Sequence, residues 1–239
     1  MHDTDCLICG HPLIYDLKLV ARTCMICGKE EDSNASCESG HFICDTCHGA
    51  DAMDLIEAIC LSYSGTNAIE LAQELMQMKN IKMHGPEHHF LVPAVLLTVY
   101  YNQGHQHDLL QGKLGQAKKR AQKILGGFCG YYGTCGAAVG SGLAISLITD
   151  TTPLSTDTWK LCNMMTAKSL TRVAKYNGPR CCKRDTYLSL IEGIQFLMNE
   201  FKVKLPIQEI SCIFHKNNRE CLKNECKFHP ELNINQPSS

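Results

Sequence analysis

The chain has 239 residues, 44% of them hydrophobic and 20% charged, a composition that supports a packed core and excludes a disordered chain. Lys and Arg total 23 against 24 Asp and Glu, a net charge of -1, which argues against a globally basic nucleic-acid binder and a polybasic membrane sensor. The longest weakly polar run, over 136–148, is too short to span a bilayer, and the opening Met-His-Asp-Thr-Asp-Cys lacks the basic and apolar parts of a secretory signal, so a cytoplasmic protein is expected.

Cysteine is the unusual residue: the chain has 16. In a reducing cytosol such a number is better explained by metal ligation or redox chemistry than by disulfides. Along the chain the first candidates are Cys6-Leu-Ile-Cys9-Gly and Cys24-Met-Ile-Cys27-Gly, then Cys37, His41 and Cys44-Asp-Thr-Cys47. A Cys-x-x-Cys-Gly turn points two sulfurs at one ion, and its glycine lets backbone amides approach the thiolates. Two turns complete a tetrahedral site, so these eight candidates imply two zinc ions, with His48 as a rival to His41. The stretch is poor in apolar residues, and metal binding would supply its stability. Strand-like alternation is expected over 13–20 and in the zinc-type hairpins.

The segment from Cys37 to Cys47 resembles the middle of a RING-type cross-brace finger, in which alternate ligand pairs share a metal. Carried over, the resemblance implies one site from Cys24, Cys27, Cys44 and Cys47 and another from Cys6, Cys9, Cys37 and His41. The outer pair stands before the motif rather than after it, so ubiquitin ligation is not inferred and zinc reads as a structural staple.

From residue 51 the pattern becomes helical. Helices are expected over 51–63 and 67–78, then after Pro86, then over 108–125, 134–148, 156–176 and 183–201. The last is the most regular, with Tyr187, Leu190, Ile191, Ile194, Leu197, Met198 and Phe201 at helical spacing. The fold class is therefore mainly α: a helical core over 50–205, a zinc-binding module over 1–49, and a C-terminal Cys/His segment over 206–239 with a frayed tail.

Within the core, His84-Gly-Pro-Glu87-His88-His89 opens the third helix. His84, Glu87 and His88 are candidates for a metal ligand or for proton transfer, although Pro86 at a helix start accounts for part of the motif structurally. The run Cys129-Gly-Tyr-Tyr-Gly-Thr-Cys135-Gly-Ala-Ala-Val-Gly-Ser-Gly has more glycine than a core helix calls for. With Thr134 as cap, Cys135 falls in the first helical turn, where amides and the helix dipole favour thiolate. Cys181-Cys182 also precedes a helix, flanked by Arg180, Lys183 and Arg184, which are expected to lower the thiol pKa values further. Cys129, Cys135, Cys181 and Cys182 are read together as a central site for an iron–sulfur cluster, a zinc ion or a dithiol relay. Cys135 is the first candidate nucleophile.

This run locally resembles the Cys-Gly-Cys-Ala-type family of cysteine-rich proteins, which implies redox activity. Here a glycine stands between Cys135 and the first alanine. The whole chain resembles a cysteine-rich domain family of unknown function from anaerobic microbes, found alone or fused to methyltransferases. That resemblance implies the domain layout, and a methyltransferase or a redox protein as partner.

At the C-terminus Cys212, Cys221, Cys226 and His229 have finger-like spacing and resemble the Cys-Cys-Cys-His fingers, with shorter final spacers and His215 as a rival ligand. A third structural zinc is expected there in preference to RNA binding, and Cys212 has the alternative of pointing into the central site. The function read from the sequence is a metal-binding cytosolic protein whose central cysteines do thiol redox, sulfur-transfer or iron–sulfur chemistry. The alternative is a non-catalytic zinc-stabilised adaptor or nucleic-acid-binding module.

Overall fold

Apolar residues recurring along 13–23 give the first strand. In the computed structural model, which describes residues 6, 8, 9, 11–44, 47 and 51–233, β1 (Leu13–Thr23) pairs antiparallel with β2 (Glu30–Cys37). Leu13 faces Cys37 and Thr23 faces Glu30, and the register slips between Tyr15 and Val20, where β1 bulges and Leu17 and Leu19 project into solvent. Turns at both ends use left-handed glycines, Gly28 at φ 72° and Gly40 at φ 80°, a conformation costly for any residue with a Cβ. His48 and residues 234–239 of the tail lie outside the described residues.

The rest of the described chain is mainly α. α1 (Ala52–Ser62) is capped by Asp51, whose carboxylate accepts from the amides of Met53 and Asp54 at 2.8 Å each. Asn67 does the same for α2 (Ala68–Gln77), accepting from Ile69 and Glu70 at 3.1 and 3.2 Å. Then come α3 (Glu87–Gln103), α4 (His107–Ala121), the single turn α5 (Phe128–Tyr131), α6 (Gly136–Ile148), α7 (Asp157–Val173), α8 (Cys182–Phe201) and the short α9 (Pro230–Asn233).

α3 is apolar on every side, so it can be buried only by being surrounded. It touches α1, α2, α4, α6 and α8, with Phe90, Leu91, Val92, Leu96 and Val99 fully buried. α6 fits between α3 and α7 because its small residues let backbones meet. A Cβ on Gly140 would stand 2.8 Å from the His89 carbonyl oxygen, and one on Gly142 would collide with Thr166 Oγ1 and stand 2.8 Å from the Cys162 carbonyl oxygen. The glycines of α6 thus have a packing role, which corrects the expectation that packing alone does not account for them. Across α3, Gly193 of α8 admits Leu96, whose Cδ1 would lie 2.7 Å from an added Cβ.

The buried side chains form one cluster that runs from Cys24, Ile26 and Phe42 through the helices to Phe214 and Phe228. Both cysteine-rich ends are therefore seated on the helical core. No helix among the described residues is long and apolar enough to cross a membrane.

Candidate functional site

The hairpin register positions the N-terminal donors. With Cys37 opposite Leu13, the end of β2 lies beside the Cys6–Cys9 turn. The Cys9 and Cys37 sulfurs are 3.7 Å apart, and His41 Nδ1 lies 3.3 Å from Cys9 Sγ and 3.4 Å from Cys37 Sγ. At the other end Cys24 and Cys27 meet Cys44 and Cys47, with Cys27 and Cys44 sulfurs 3.8 Å apart. Within each set of four, all donor atoms lie within 4.8 Å of one another. The sets are Cys6, Cys9, Cys37, His41 and Cys24, Cys27, Cys44, Cys47, so the ligand pairs alternate along the chain as in a cross-brace. Separations of 3.7–3.8 Å match four donors sharing one tetrahedral ion.

Amides complete these sets. Cys44 N–H donates to Cys24 Sγ at 3.4 Å. Burial works against the Cys24 thiolate, but the amides of Cys27, Cys44 and Ile26 outweigh it and bring its pKa down to about 7. Burial and the neighbouring thiols push Cys47 the other way. Three or four thiols crowded together cannot all ionise without a cation among them, and both sets have the chemistry to hold one.

The glycine–cysteine run forms a separate feature. Gly127, at φ 86°, caps α5, and Gly133, at φ 64°, turns the chain toward α6. Cys129 and Cys135 thereby line one open cleft of about 680 Å³, with Arg180, Arg184 and Asp185 opposite and Tyr176 along the wall. Cys135 is the N-cap of α6 rather than a first-turn residue, and Thr134 turns away to donate its hydroxyl to the Tyr132 carbonyl at 3.2 Å. Burial and the charge of Asp185 push the Cys135 thiol up to about 12, although the amides of Ala138 and Ala137 favour thiolate. Cys182 lies close enough to feel Cys129, and burial raises its pKa to about 11. Burial also holds Cys181 at about 12, against the Arg184 amide. The expectation that helix starts and basic neighbours lower these pKa values is thus corrected, because burial is the larger effect.

The adjacent pair Cys181-Cys182 faces two directions. Cys182 is approached by the Gly85 amide, just ahead of α3, and lines neither the cleft nor the cavity beside Cys181. Cys181, the N-cap of α8, accepts from the Arg184 amide and from Asn218 Nδ2, each at 3.5 Å, and lines a small cavity with Cys212, Cys221 and Cys226 of the C-terminal segment. His215 also lines that cavity, and its Nδ1 donates to the Cys212 carbonyl at 2.9 Å. His229 is buried with Nδ1 3.8 Å from Glu231 Oε2, and its ring stacks edge-on to His215 at 5.0 Å. Of the four cysteines expected at one centre, Cys129 and Cys135 line the cleft and Cys181 lines the cavity of the terminal segment.

The histidine segment serves mainly to tie elements together. His84 Nε2 sits 3.2 Å from Asn218 Oδ1 and 3.1 Å from Glu220 Oε2, joining the turn before α3 to the terminal segment. His88 is sealed in the core. Its Nε2 donates to the Lys82 carbonyl at 3.1 Å, which leaves Nδ1 to accept from Thr186 Oγ1 at 2.9 Å. Burial, together with the charge of Lys183, pushes its pKa down to about 3, so it remains neutral. Glu87 is buried and accepts from the Lys82 amide at 2.8 Å. His84, Glu87 and His88 do not line the cysteine cleft, whereas the neglected His89 packs its ring against Gly136, beside Cys135.

The sequence reading named Arg184 only as a basic neighbour of the thiols and passed over Asp185, its buried partner 3.0 Å away; both border the cleft. Three consecutive charges, Lys183-Arg184-Asp185, at the start of an otherwise amphipathic helix were the available signal. No single helix face can hold all three, so the enclosed end of α8 must accommodate some of them.

No curated protein and no solved structure matches the chain. A family model does, over residues 56–229, a stretch that takes in the helical core, the cleft and the terminal cysteines and leaves out the two N-terminal donor sets. The chain belongs to that family, described as a family of unknown function, DUF5714.

Proposed function

We propose that the protein is a cytoplasmic, metal-stabilised thiol protein, whose N-terminal sets hold zinc as staples and whose working site is the cleft of Cys129 and Cys135. The carrying observation is that two cysteines share one open cleft with two arginines, apart from the tight donor sets. A cleft of about 680 Å³ suits a small molecule or a peptide end, and Arg180 favours an anionic one, the charge of Arg184 being offset by Asp185. Cys129 is the more accessible of the two and is assigned as the attacking thiol, with Cys135 as the resolving one. In the redox form of the reaction, Cys129 thiolate attacks a substrate disulfide and releases one half as thiolate. Cys135 then attacks the Cys129 sulfur and releases the other half, leaving a protein disulfide and a substrate reduced by two electrons. Sulfur transfer begins with the same attack on a persulfide. A redox protein or a methyltransferase fits as partner, and nucleic acid fits less well with a net charge of -1.

A zinc-stabilised adaptor is the second reading, favoured by the burial that holds Cys135 protonated. Oxidised glutathione added to the metal-loaded chain separates the two. A transient adduct on Cys129 that accumulates in Cys135→Ser supports thiol chemistry. An unmodified Cys129, with the helical fold intact, supports the adaptor.

A further inference from the structure

We propose that the outer face of α7 docks an acidic protein, whose disulfide then meets the thiols of the cleft. The partner's role at Cys129 rests on the thiol reading of that cleft; the docking does not. The net charge of -1 hides a segregation of charge along the chain. Residues 88–191 contain twelve Lys and Arg against four Asp and no Glu, whereas the rest of the chain has eleven against twenty. Part of the excess is neutralised within the fold. Lys113 pairs with Asp150 at 2.6 Å, Lys118 with Glu57 at 3.0 Å, and Arg172 with Glu192 at 2.6 Å.

α7 keeps its other cations on the surface. Lys160, Lys168 and Lys175 are exposed, and none of them meets a carboxylate among the described residues. Lys175 belongs to the same face because the helical turn runs on past Val173, with Ala174 N–H donating to the Leu170 carbonyl at 2.9 Å. At 3.6 residues per turn the three lysines fall within about 80° of one another around the axis. Met164 is exposed between Lys160 and Lys168, four residues from each. The opposite side of the helix is the packed one, where Met165 and Ser169 are buried and Ser169 bonds Ser141 of α6 at 2.8 Å. Asp157, in the first turn, is the one acid of α7. The row of lysines is about 22 Å long. It ends where Leu170, Val173 and Ala174 line the cleft, with the exposed Arg180 across from them.

An acidic protein suits this face better than a nucleic acid does. A polynucleotide repeats its charge along its whole length, and beyond α7 it would run onto a chain whose remaining residues have acids in excess. A folded partner presents a local acidic cluster instead. Apolar anchors accompany the cations: Trp159 and Met164 are about half exposed, and Leu154, in the turn before the helix, is almost wholly so. Trp and Met are enriched where proteins meet. Lysines around such anchors steer an acidic face into place and speed its encounter with the cleft.

Trp159 is the chain's single tryptophan, so its fluorescence reports on this face. The test titrates the metal-loaded full chain with a short peptide of Glu and Leu. A saturable change in emission is expected, weakened by salt and absent with a peptide in which Gln replaces Glu. A variant combining Lys160→Gln, Lys168→Gln and Lys175→Gln should bind the peptide about tenfold more weakly. Neutral dithiodipyridine forms a mixed disulfide with a thiol and releases one pyridinethione. By mass spectrometry it should modify Cys129 equally fast in the wild type and in this variant. Peptide binding that the variant retains, or the lack of any salt-sensitive binding, overturns the proposal. So does an oligothymidylate of equal charge that binds more tightly than the peptide, which would mark a nucleic-acid face. A Cys129 silent toward dithiodipyridine, with peptide binding intact, supports the docking face and contradicts the thiol reading alone.

Discussion

At the N-terminus the donors come from neighbouring turns of one short ribbon, and they close to 3.7–3.8 Å between sulfurs. At the C-terminus three cysteines of an irregular segment line one small cavity with a fourth from the start of α8. The ribbon contributes few side chains to the core: Ile14, Tyr15, Leu17, Leu19 and Val20 are exposed. The terminal segment, by contrast, inserts Phe214 and Phe228 into the same cluster as the helices. The difference teaches that one region has little besides its donor sets to hold it together, whereas the other is fastened to the core by packed side chains.

Metal removal should separate the regions most sharply. Structural zinc contributes on the order of 10 kcal/mol to such modules. A chelator should therefore bring the amides of β1 and β2 to solvent exchange rates while those of α3 and α8 stay protected, as read by hydrogen exchange. Equal loss of protection in both would end the contrast.

A core truncation should do the reverse. Leu96→Ala removes a fully buried side chain that packs against Gly193, and should cost roughly 2–5 kcal/mol in urea unfolding of the helical core. Zinc content should be unchanged. Gly142→Ala forces a methyl group against Thr166 and the Cys162 carbonyl, and should cost about 1–3 kcal/mol by the same measurement.

Near neutral pH the smallest effect is acid dependence. Burial brings His88 from its ordinary value of 6.5 down to about 3 in the folded chain. Between those values the unfolded chain binds the proton and the folded one does not, so stability falls as pH drops from about 6.5 toward 3. The slope from this one group is at most about 1.4 kcal/mol per pH unit. His88→Gln should flatten the acid limb relative to wild type, in unfolding curves taken at matched metal content.

Much of the fold was legible because helical periodicity is a local signal. The expected segment 51–63 became Ala52–Ser62, and 183–201 became Cys182–Phe201. α5 was not legible, since a single turn held by Gly127 and Gly133 has no periodicity. The N-terminal pairs could be read because Cys-x-x-Cys spacing sets two sulfurs on one turn, whereas their alternation was implied only by the resemblance to a cross-brace finger. The divergence of Cys181 from Cys182 could not, because adjacent residues at a helix start point to different neighbours that only the tertiary fold brings near. Residue type alone also misled for His88. Imidazole suits proton transfer, but complete burial and two hydrogen bonds make this one a structural tie.

The division of labour among the cysteines is the account's central claim, and site-resolved alkylation followed by mass spectrometry tests it directly. On the metal-loaded chain, Cys129 should be labelled first. Cys6, Cys9, Cys24, Cys27, Cys37, Cys44 and Cys47 should stay protected until a chelator is added. N-terminal cysteines that react as fast as Cys129 without chelator, or a Cys129 as protected as they are, would contradict it.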